Sequence, residues 1–345
     1  MKAIHLVAPR KLEVVEMPQP ADPGPGEVLL KVRSVGICGS DLHWFLDGRI
    51  GGNICVLPQI LGHEPVAEVA AVGNGVPASR IGERVFVEPA IGCGHCEWCM
   101  SGNQNLCPGC RFLGSSPTYG LFREYGVMPA HNLIPAPAGV SDAQATVAEP
   151  LSIILHVMEL AGIRLGDTVA VLGSGPIGML SVAVARLAGA SKIFVADKVA
   201  HRVALGLRMG ADVGIHSPAE SVCDTILDAT GGRGVDFVMD AAGMMETINW
   251  GMKIARRGGQ FMLIGIPTEP DLNIDLHTAM HREIRIQTIR RSRHSGPTAM
   301  ALIQAGRISD AMITHRYPLE RTPEAFDTLV EYADGVGKII IEIAS

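Results

Sequence analysis

Four cysteines stand close enough together in the chain to hold one metal ion. Cys93, Cys96 and Cys99 follow a C-x-x-C-x-x-C pattern, and Cys107 comes shortly after. Four thiolates complete a zinc tetrahedron with no open position, so such a site is structural. An iron–sulfur cluster takes the same ligands, but nothing else in the chain points to electron transfer. Free thiols fit the short spacing poorly. Cys110 is a rival for the fourth ligand and His95 a weaker one, while Cys55 and Cys223 read as small core residues. A second donor set comes from two separate turns. One is Gly36-Ile37-Cys38-Gly39-Ser40-Asp41-Leu42-His43 and the other Leu61-Gly62-His63-Glu64. A zinc ion with fewer than four fixed protein ligands keeps a place for water or substrate, and is then catalytic. Each residue also has a plain reading: Cys38 as a buried thiol, His63 as a core histidine, Glu64 as an exposed acid. Residue types alone leave both readings open.

The third constellation is Gly173-Ser174-Gly175-Pro176-Ile177-Gly178, a G-x-G-x-x-G run. Alone it is a weak signal. Here it follows the β-branched run Thr168 to Leu172 and opens a helix-forming stretch, Met179 to Leu187, with Gly189 placed to end it. A second strand, Lys192 to Ala196, closes on Asp197. Gly173 permits the tight turn, Gly175 lets backbone approach a pyrophosphate, and Gly178 lets helix and strand pack closely. A diphosphate is favoured at the helix N-terminus, where N–H groups are free. Asp197 is placed to accept hydrogen bonds from an adenosine ribose, and its carboxylate repels a 2′-phosphate. NAD is therefore expected rather than NADP, a preference that Lys198 and Arg202 soften without reversing.

These groups need two scaffolds, and 345 residues are enough for both. With 47% hydrophobic residues and 40 glycines the chain reads as a soluble, turn-rich enzyme. A net charge of −6 gives no support for nucleic-acid binding. No apolar run reaches membrane-spanning length, and MKAIHLVAPRKLEV alternates like a strand rather than forming a signal-peptide core. A cytoplasmic protein is expected, where eight cysteines do not form a disulfide framework.

Residues 1–150 alternate between strand-like runs and Gly/Pro turns, at Lys2–Val7, Leu12–Glu16, Glu27–Val35, Pro65–Val72, Arg84–Glu88 and Tyr119–Val127. This predicts a mostly β domain, of the partly open barrel kind, interrupted by the cysteine lobe. Residues 151–290 alternate strand and helix as a parallel sheet requires. Helices are expected at Leu151–Ala161, Val199–Met209, Asp224–Ala229 and Glu246–Arg256, and strands at Val235–Asp240, Gln260–Ile266 and Glu283–Arg290. Residues 291–345 add helices Pro297–Ala305 and Pro323–Glu331 and a strand, Lys338–Ile343. That strand has no obvious place in the parallel sheet, and its return to residues 1–150 would make the nucleotide domain an insertion.

The combination of GHEPVAEVAAVG, CGSD, the C-x-x-C-x-x-C lobe with Cys107, and VLGSGPIG resembles the zinc-containing medium-chain dehydrogenases, in the family's order and over nearly the whole chain. Glu149-Pro150-Leu151-Ser152 and the tail THRYPLE resemble the polyol branch, typified by sorbitol dehydrogenase. The resemblance implies an α/β fold, with a doubly wound Rossmann domain beside a mostly β, GroES-like catalytic domain carrying a structural-zinc lobe. It implies an NAD-dependent oxidation of a polyol or sugar alcohol to a ketose or keto-sugar, in a homotetramer. It implies one catalytic zinc held by Cys38, His63 and Glu64, with Glu149 binding directly or through water, and one structural zinc. Simple alcohol dehydrogenases usually have a cysteine near the position of Glu149. Ser40 fills the family's proton-relay position and His43 would extend it. Ile177, Ile266 and Ile289 would lie along the cofactor, and Arg202 near its adenosine ribose.

Two departures stand out. Ala67 replaces an expected glycine, a small change. Arg290-Arg291 replaces an Arg-Tyr pair near the substrate of the sorbitol enzymes, which opens the site to an acidic or phosphorylated sugar alcohol; the plain alternative puts Arg291 and Arg293 on an exposed face or subunit contact. A threonine-type amino-alcohol dehydrogenase shares the zinc motifs but not the EPLS context of Glu149. A catalytically retired NAD-binding protein would be expected to lose Cys38, Ser40 or His63, and all three are present.

Overall fold

The computed structural model describes residues 1–217, 221–267, 269 and 271–343. Six parallel strands carry the glycine-rich turn. In spatial order they are Val213–His216, Lys192–Asp197, Thr168–Leu172, Val235–Asp240, Ala255–Leu263 and Arg285–Thr288. The order turns back on itself at Thr168–Leu172, so a crevice opens beyond the carboxyl end of that strand. Val235–Asp240 is buried at every position, as a strand covered by helices on both faces must be. The edge strand Arg285–Thr288 is exposed throughout.

A second sheet runs Leu133–Pro135, Arg84–Val87, Glu64–Val72, Glu27–Gly36, Lys338–Glu342 and Ile313–Pro318. Tyr125–Pro129 also pairs with Glu27–Gly36, on residues 27–31, while Lys338–Glu342 takes residues 34–36 of that strand. The last strand of the chain therefore lies beside one of the earliest. One apolar cluster crosses both sheets, joining Val66 and Phe86 to Leu151, Ile154 and Val169. The two halves share a packed base beneath the cleft.

Several boundaries differ from the sequence expectation for physical reasons. The helix after the turn starts at Pro176 rather than Met179, because proline suits the first helical position. The helix before the turn is Ala148–Ala161, which places Glu149 in its first turn. The fifth strand is Ala255–Leu263 rather than 260–266. Residues 119–124 are not a strand: Gly120 lies against the Leu61 backbone, where a Cβ would come within 2.3 Å of the Leu61 oxygen. Helix Gly39–Asp47 and strand Ile313–Pro318 were not expected. The helix is short, begins Gly-Ser, and buries Asp41, Trp44 and Phe45.

Candidate active site and metal centres

Cys38 stands two residues past strand Glu27–Gly36, at the N-cap of helix Gly39–Asp47. His63 stands just before strand Glu64–Val72, after Gly62, whose φ of +91° few side chains adopt and whose missing Cβ makes room for the Phe122 ring. These two turns bring one sulfur, one ring nitrogen and one carboxylate oxygen of Cys38, His63 and Glu64 within 4.8 Å of one another. Glu64 is 0% exposed, so the reading of it as an exposed acid is corrected.

A buried carboxylate joins the two turns. Asp41 accepts the Cys38 N–H at Oδ2 (3.0 Å) and the Gly62 N–H at Oδ1 (3.2 Å), and faces His63 Nδ1 at 3.3 Å. That contact assigns the proton to Nδ1 and turns the lone pair of Nε2 to the pocket, where the Ser40 hydroxyl lies 3.3 Å away. His63 also packs against Phe112, ring centroids 5.2 Å apart. His43 makes no hydrogen bond to Ser40 among the described residues, and burial lowers its pKa.

Glu64 Oε2 is paired with Lys338, which is buried and also donates to the Ile37 carbonyl at 3.0 Å. Room for this pair comes from Gly36, where a Cβ would fall 2.1 Å from Glu64 Oε2. Glu64 Oε1 is buried without a partner, as is Glu149 Oε2. Burial pushes the Glu149 carboxyl up to about 8; His63 works against the shift, and Glu64 and Glu88 add to it. Glu149 is not among the three residues whose donor atoms cluster. An orphaned carboxylate oxygen beside a thiol and an imidazole fits a zinc ion, which accepts all three donor types.

The sulfurs of Cys93, Cys96, Cys99 and Cys107 form the second cluster, again within 4.8 Å of one another. Backbone N–H groups of Cys93 and Cys96 point at the sulfurs of Cys107 and Cys93, both at 3.4 Å. Donors from His95 and Cys96 bring the Cys93 thiol down to about 6, favouring the thiolate that a metal needs. Neither rival joins them. Cys110 donates to the Arg111 carbonyl, and His95 Nδ1 meets the Cys93 carbonyl.

At the glycine-rich turn, Gly173 has φ +91°, and a Cβ on Gly178 would lie 1.8 Å from the Gly173 oxygen. A Cβ on Gly175 would meet only Arg202, at 3.9 Å. The space in front of the helix is thus open to a ligand. Asp197 accepts the N–H groups of Ser174 (2.7 Å) and Val199 (2.8 Å), one on each oxygen. Arg202 Nε is buried without a partner. Ile177 and Ile289 are half-buried against the shared core, and Ile266 is exposed.

Residues 24–138 match the alcohol dehydrogenase GroES-like domain, and 176–305 the zinc-binding dehydrogenase family. The chain is 34% identical to sorbitol dehydrogenase of Bacillus subtilis over 342 residues, 99% of this chain and 97% of that one. The chain belongs to the zinc-containing medium-chain dehydrogenases, in their sorbitol dehydrogenase-like branch. L-arabinitol 4-dehydrogenase of Hypocrea jecorina is 36% identical over 93% of this chain and 86% of its own. A solved E. coli CFT073 alcohol dehydrogenase, rspB, complexed with NADH, superposes with a TM-score of 0.90 at 30% identity, covering 99% of each chain. As a medium-chain dehydrogenase the protein is an oxidoreductase that uses zinc and a nicotinamide dinucleotide. No described helix is long and apolar enough to cross a membrane.

Asp41, Lys338, Glu88 and Phe112 were missed as parts of the site. Only Asp41 had a local signal, an acid three residues after Cys38 at a helix start. The others reach the pocket through tertiary contacts.

Proposed function

We propose that the protein oxidises a secondary hydroxyl of a polyol or sugar alcohol to a ketone, with NAD as hydride acceptor. The observation that carries this reading is the convergence of Cys38, His63 and Glu64, with Ser40 on the same pocket wall. The sorbitol and arabinitol enzymes among its relatives support the substrate class, and Asp197 beside the open glycine turn supports NAD.

Cys38, His63 and Glu64 would hold the catalytic zinc, with Glu149 binding directly or through water, and the four lobe cysteines would hold a structural one. When bound, zinc supplies a Lewis acid and the dinucleotide a hydride acceptor. Asp41 fixes the His63 tautomer. With His63 Nε2 turned to a metal, the Ser40 hydroxyl, now 3.3 Å from it, would be free to take the substrate's hydroxyl proton and pass it outwards, towards the cofactor ribose, solvent and His43. Ser40 would carry the alcohol's proton, and a bound nicotinamide would supply the acceptor for its hydride. The Gly173–Gly178 turn, including Pro176 and Ile177, seats the diphosphate. Asp197 and Arg202 seat the adenosine ribose, and Ile266 and Ile289 flank the cofactor. Arg290 and Arg291 border the substrate.

Eight cysteines without disulfides suit a reducing cytoplasm. A homotetramer assembled through the nucleotide domains is in keeping with the exposed, one-sided edge strand Arg285–Thr288.

The test is reduction of NAD by the zinc-replete protein across neutral polyols, sugar acids, sugar-alcohol phosphates and threonine. Turnover of a polyol class supports the reading. Turnover of threonine alone, or of nothing, overturns it.

A further inference from the structure

Residues 290–295 cross from the parallel sheet to the cysteine lobe, and most of their polar groups are tied down. The Arg290 carbonyl accepts from Asn105 Nδ2 at 2.9 Å, and the Ser292 hydroxyl donates to Glu88 Oε2 at 3.3 Å. Arg293 donates to Asn103 Oδ1 and Glu159 Oε2, each at 3.1 Å. The guanidinium groups of Arg290 and Arg291 form no ion pair among the described residues.

Arg291 is the more unusual of the two. Its φ of +56° is one that side-chain-bearing residues rarely adopt, and it persists only where the surroundings impose it. Its Cζ lies 4.8 Å from the centroid of the Phe112 ring, whose other neighbour is His63 at 5.2 Å. The cation therefore stands one aromatic ring away from the metal pocket. Burial and the adjacent Arg290 both work against its charge, while Cys110 and Glu88 face it from the lobe and the β sheet. Glu88 itself is pushed up to about 6 by burial. A half-buried, strained cation without an ion-pair partner, backed by a second arginine, is a poor surface feature and a good receptor. This corrects the placing of Arg291 on an exposed face; Arg290 is exposed.

We propose that Arg291, with Arg290 beside it, binds the oxyanion end of the substrate. The preferred substrate is then an acyclic sugar alcohol ending in a carboxylate or a phosphate, its reacting hydroxyl at the Cys38–His63–Glu64 site. The inference rests on the dehydrogenase reading given above. Phe112 covers one face of the guanidinium and Cys110 hydrogen-bonds to it, leaving its remaining N–H groups for the oxygens of the anion. A lysine keeps the charge and loses the fork.

The experiment measures kcat/KM with NAD for sorbitol, gluconate and sorbitol 6-phosphate, in the wild type, Arg291→Gln and Arg291→Lys. The wild type should favour one anionic substrate over sorbitol by at least about tenfold, the value of a charged hydrogen-bonded contact. Gluconate and the phosphate ester separate the two kinds of anion. That ratio should collapse in Arg291→Gln and fall part-way in Arg291→Lys. The same ratio in all three proteins overturns the proposal, as does a wild type that prefers sorbitol. Calorimetric titration of inorganic phosphate into the NAD-loaded holoenzyme is the parallel readout, because the diphosphate turn is then filled. Phosphate binding that Arg291→Gln abolishes supports the anion subsite even if no polyol is oxidised, in which case only the polyol reading fails. Binding absent from the wild type, or equal in all variants with matched thermal midpoints, counts against the subsite.

Discussion

Nδ1 of His63 lies 3.3 Å from Oδ1 of Asp41, and both residues are closed to solvent, at 5% and 0% exposure. The same carboxylate caps the turn of Cys38 and takes the N–H of Gly62. Two candidate metal donors from different parts of the chain are therefore aimed by one side chain. Asp41→Asn should weaken zinc binding by about 10–100-fold, read by competition with a chromogenic chelator. An unaltered affinity would show that the contact does not orient His63.

Glu64 and Lys338 form a pair with side-chain exposures of 1% and 0%. Removing one partner leaves a buried charge without compensation. Lys338→Met should cost about 3–5 kcal/mol in urea unfolding. The double variant E64Q/K338M should recover much of that loss, since no unpaired charge remains. Equal losses in the single and double variants would rule out the pair as the cause.

Asp240 is fully buried at the end of its strand, and its carboxylate accepts the N–H groups of Ala242 and Gly243. Those residues back the glycine turn, where Ala242 is 3.0 Å from a Cβ placed on Gly173. Burial raises its pKa from 3.8 to about 6, against the hydrogen bonds from Thr247, Ala242 and Gly243. A raised folded-state value means a contribution that is full below about pH 4 and lost as pH rises through about 6. Asp240→Asn should therefore gain stability relative to the wild type between pH 4 and 7, by up to about 3 kcal/mol. Parallel pH–stability curves for the two proteins would refute the assignment.

Tyr332 places its ring 4.5 Å from the Arg202 guanidinium and 5.4 Å from the Lys198 ammonium, with Asp197 next in the chain. The ring holds both cations on the C-terminal segment, and neither pairs with Asp197. Tyr332→Ala should release them towards a 2′-phosphate and raise the NADP-to-NAD ratio of kcat/KM by about three- to tenfold, the worth of such cation–π contacts. Tyr332→Phe should leave the ratio unchanged. If Ala and Phe behave alike, the ring does not hold the cations.

Sequence pattern alone located the parallel sheet well, because its strands are short apolar runs with glycine stops. Thr168–Leu172 and Val235–Asp240 agree residue for residue. The grouping of the four lobe cysteines was legible from their spacing, whereas Cys38, His63 and Glu64, which the fold also brings together, were left open by residue type and grouped only through the family resemblance. Helix Gly39–Asp47 was not, because its buried face is only Asp41, Trp44 and Phe45 and its first residues favour a turn. Lys338 read as an ordinary strand residue. Its partner Glu64 is 274 positions away, and no local pattern reports a contact of that range. Arg291 was left open between cleft and surface for the same reason.

The strand Glu27–Gly36 has a consequence for the protein's birth. It lies inside the sheet, yet residues 34–36 meet Ile340–Glu342 across one edge. On the ribosome residues 34–36 have no strand neighbour on that side until residues 340–342 have been made, and the buried Glu64 has no lysine partner until Lys338 emerges. The intervening parallel sheet is encoded in one uninterrupted stretch and can close on itself first. A nascent chain thus carries a short unsealed stretch of β edge beside a finished parallel-sheet domain until that late strand arrives.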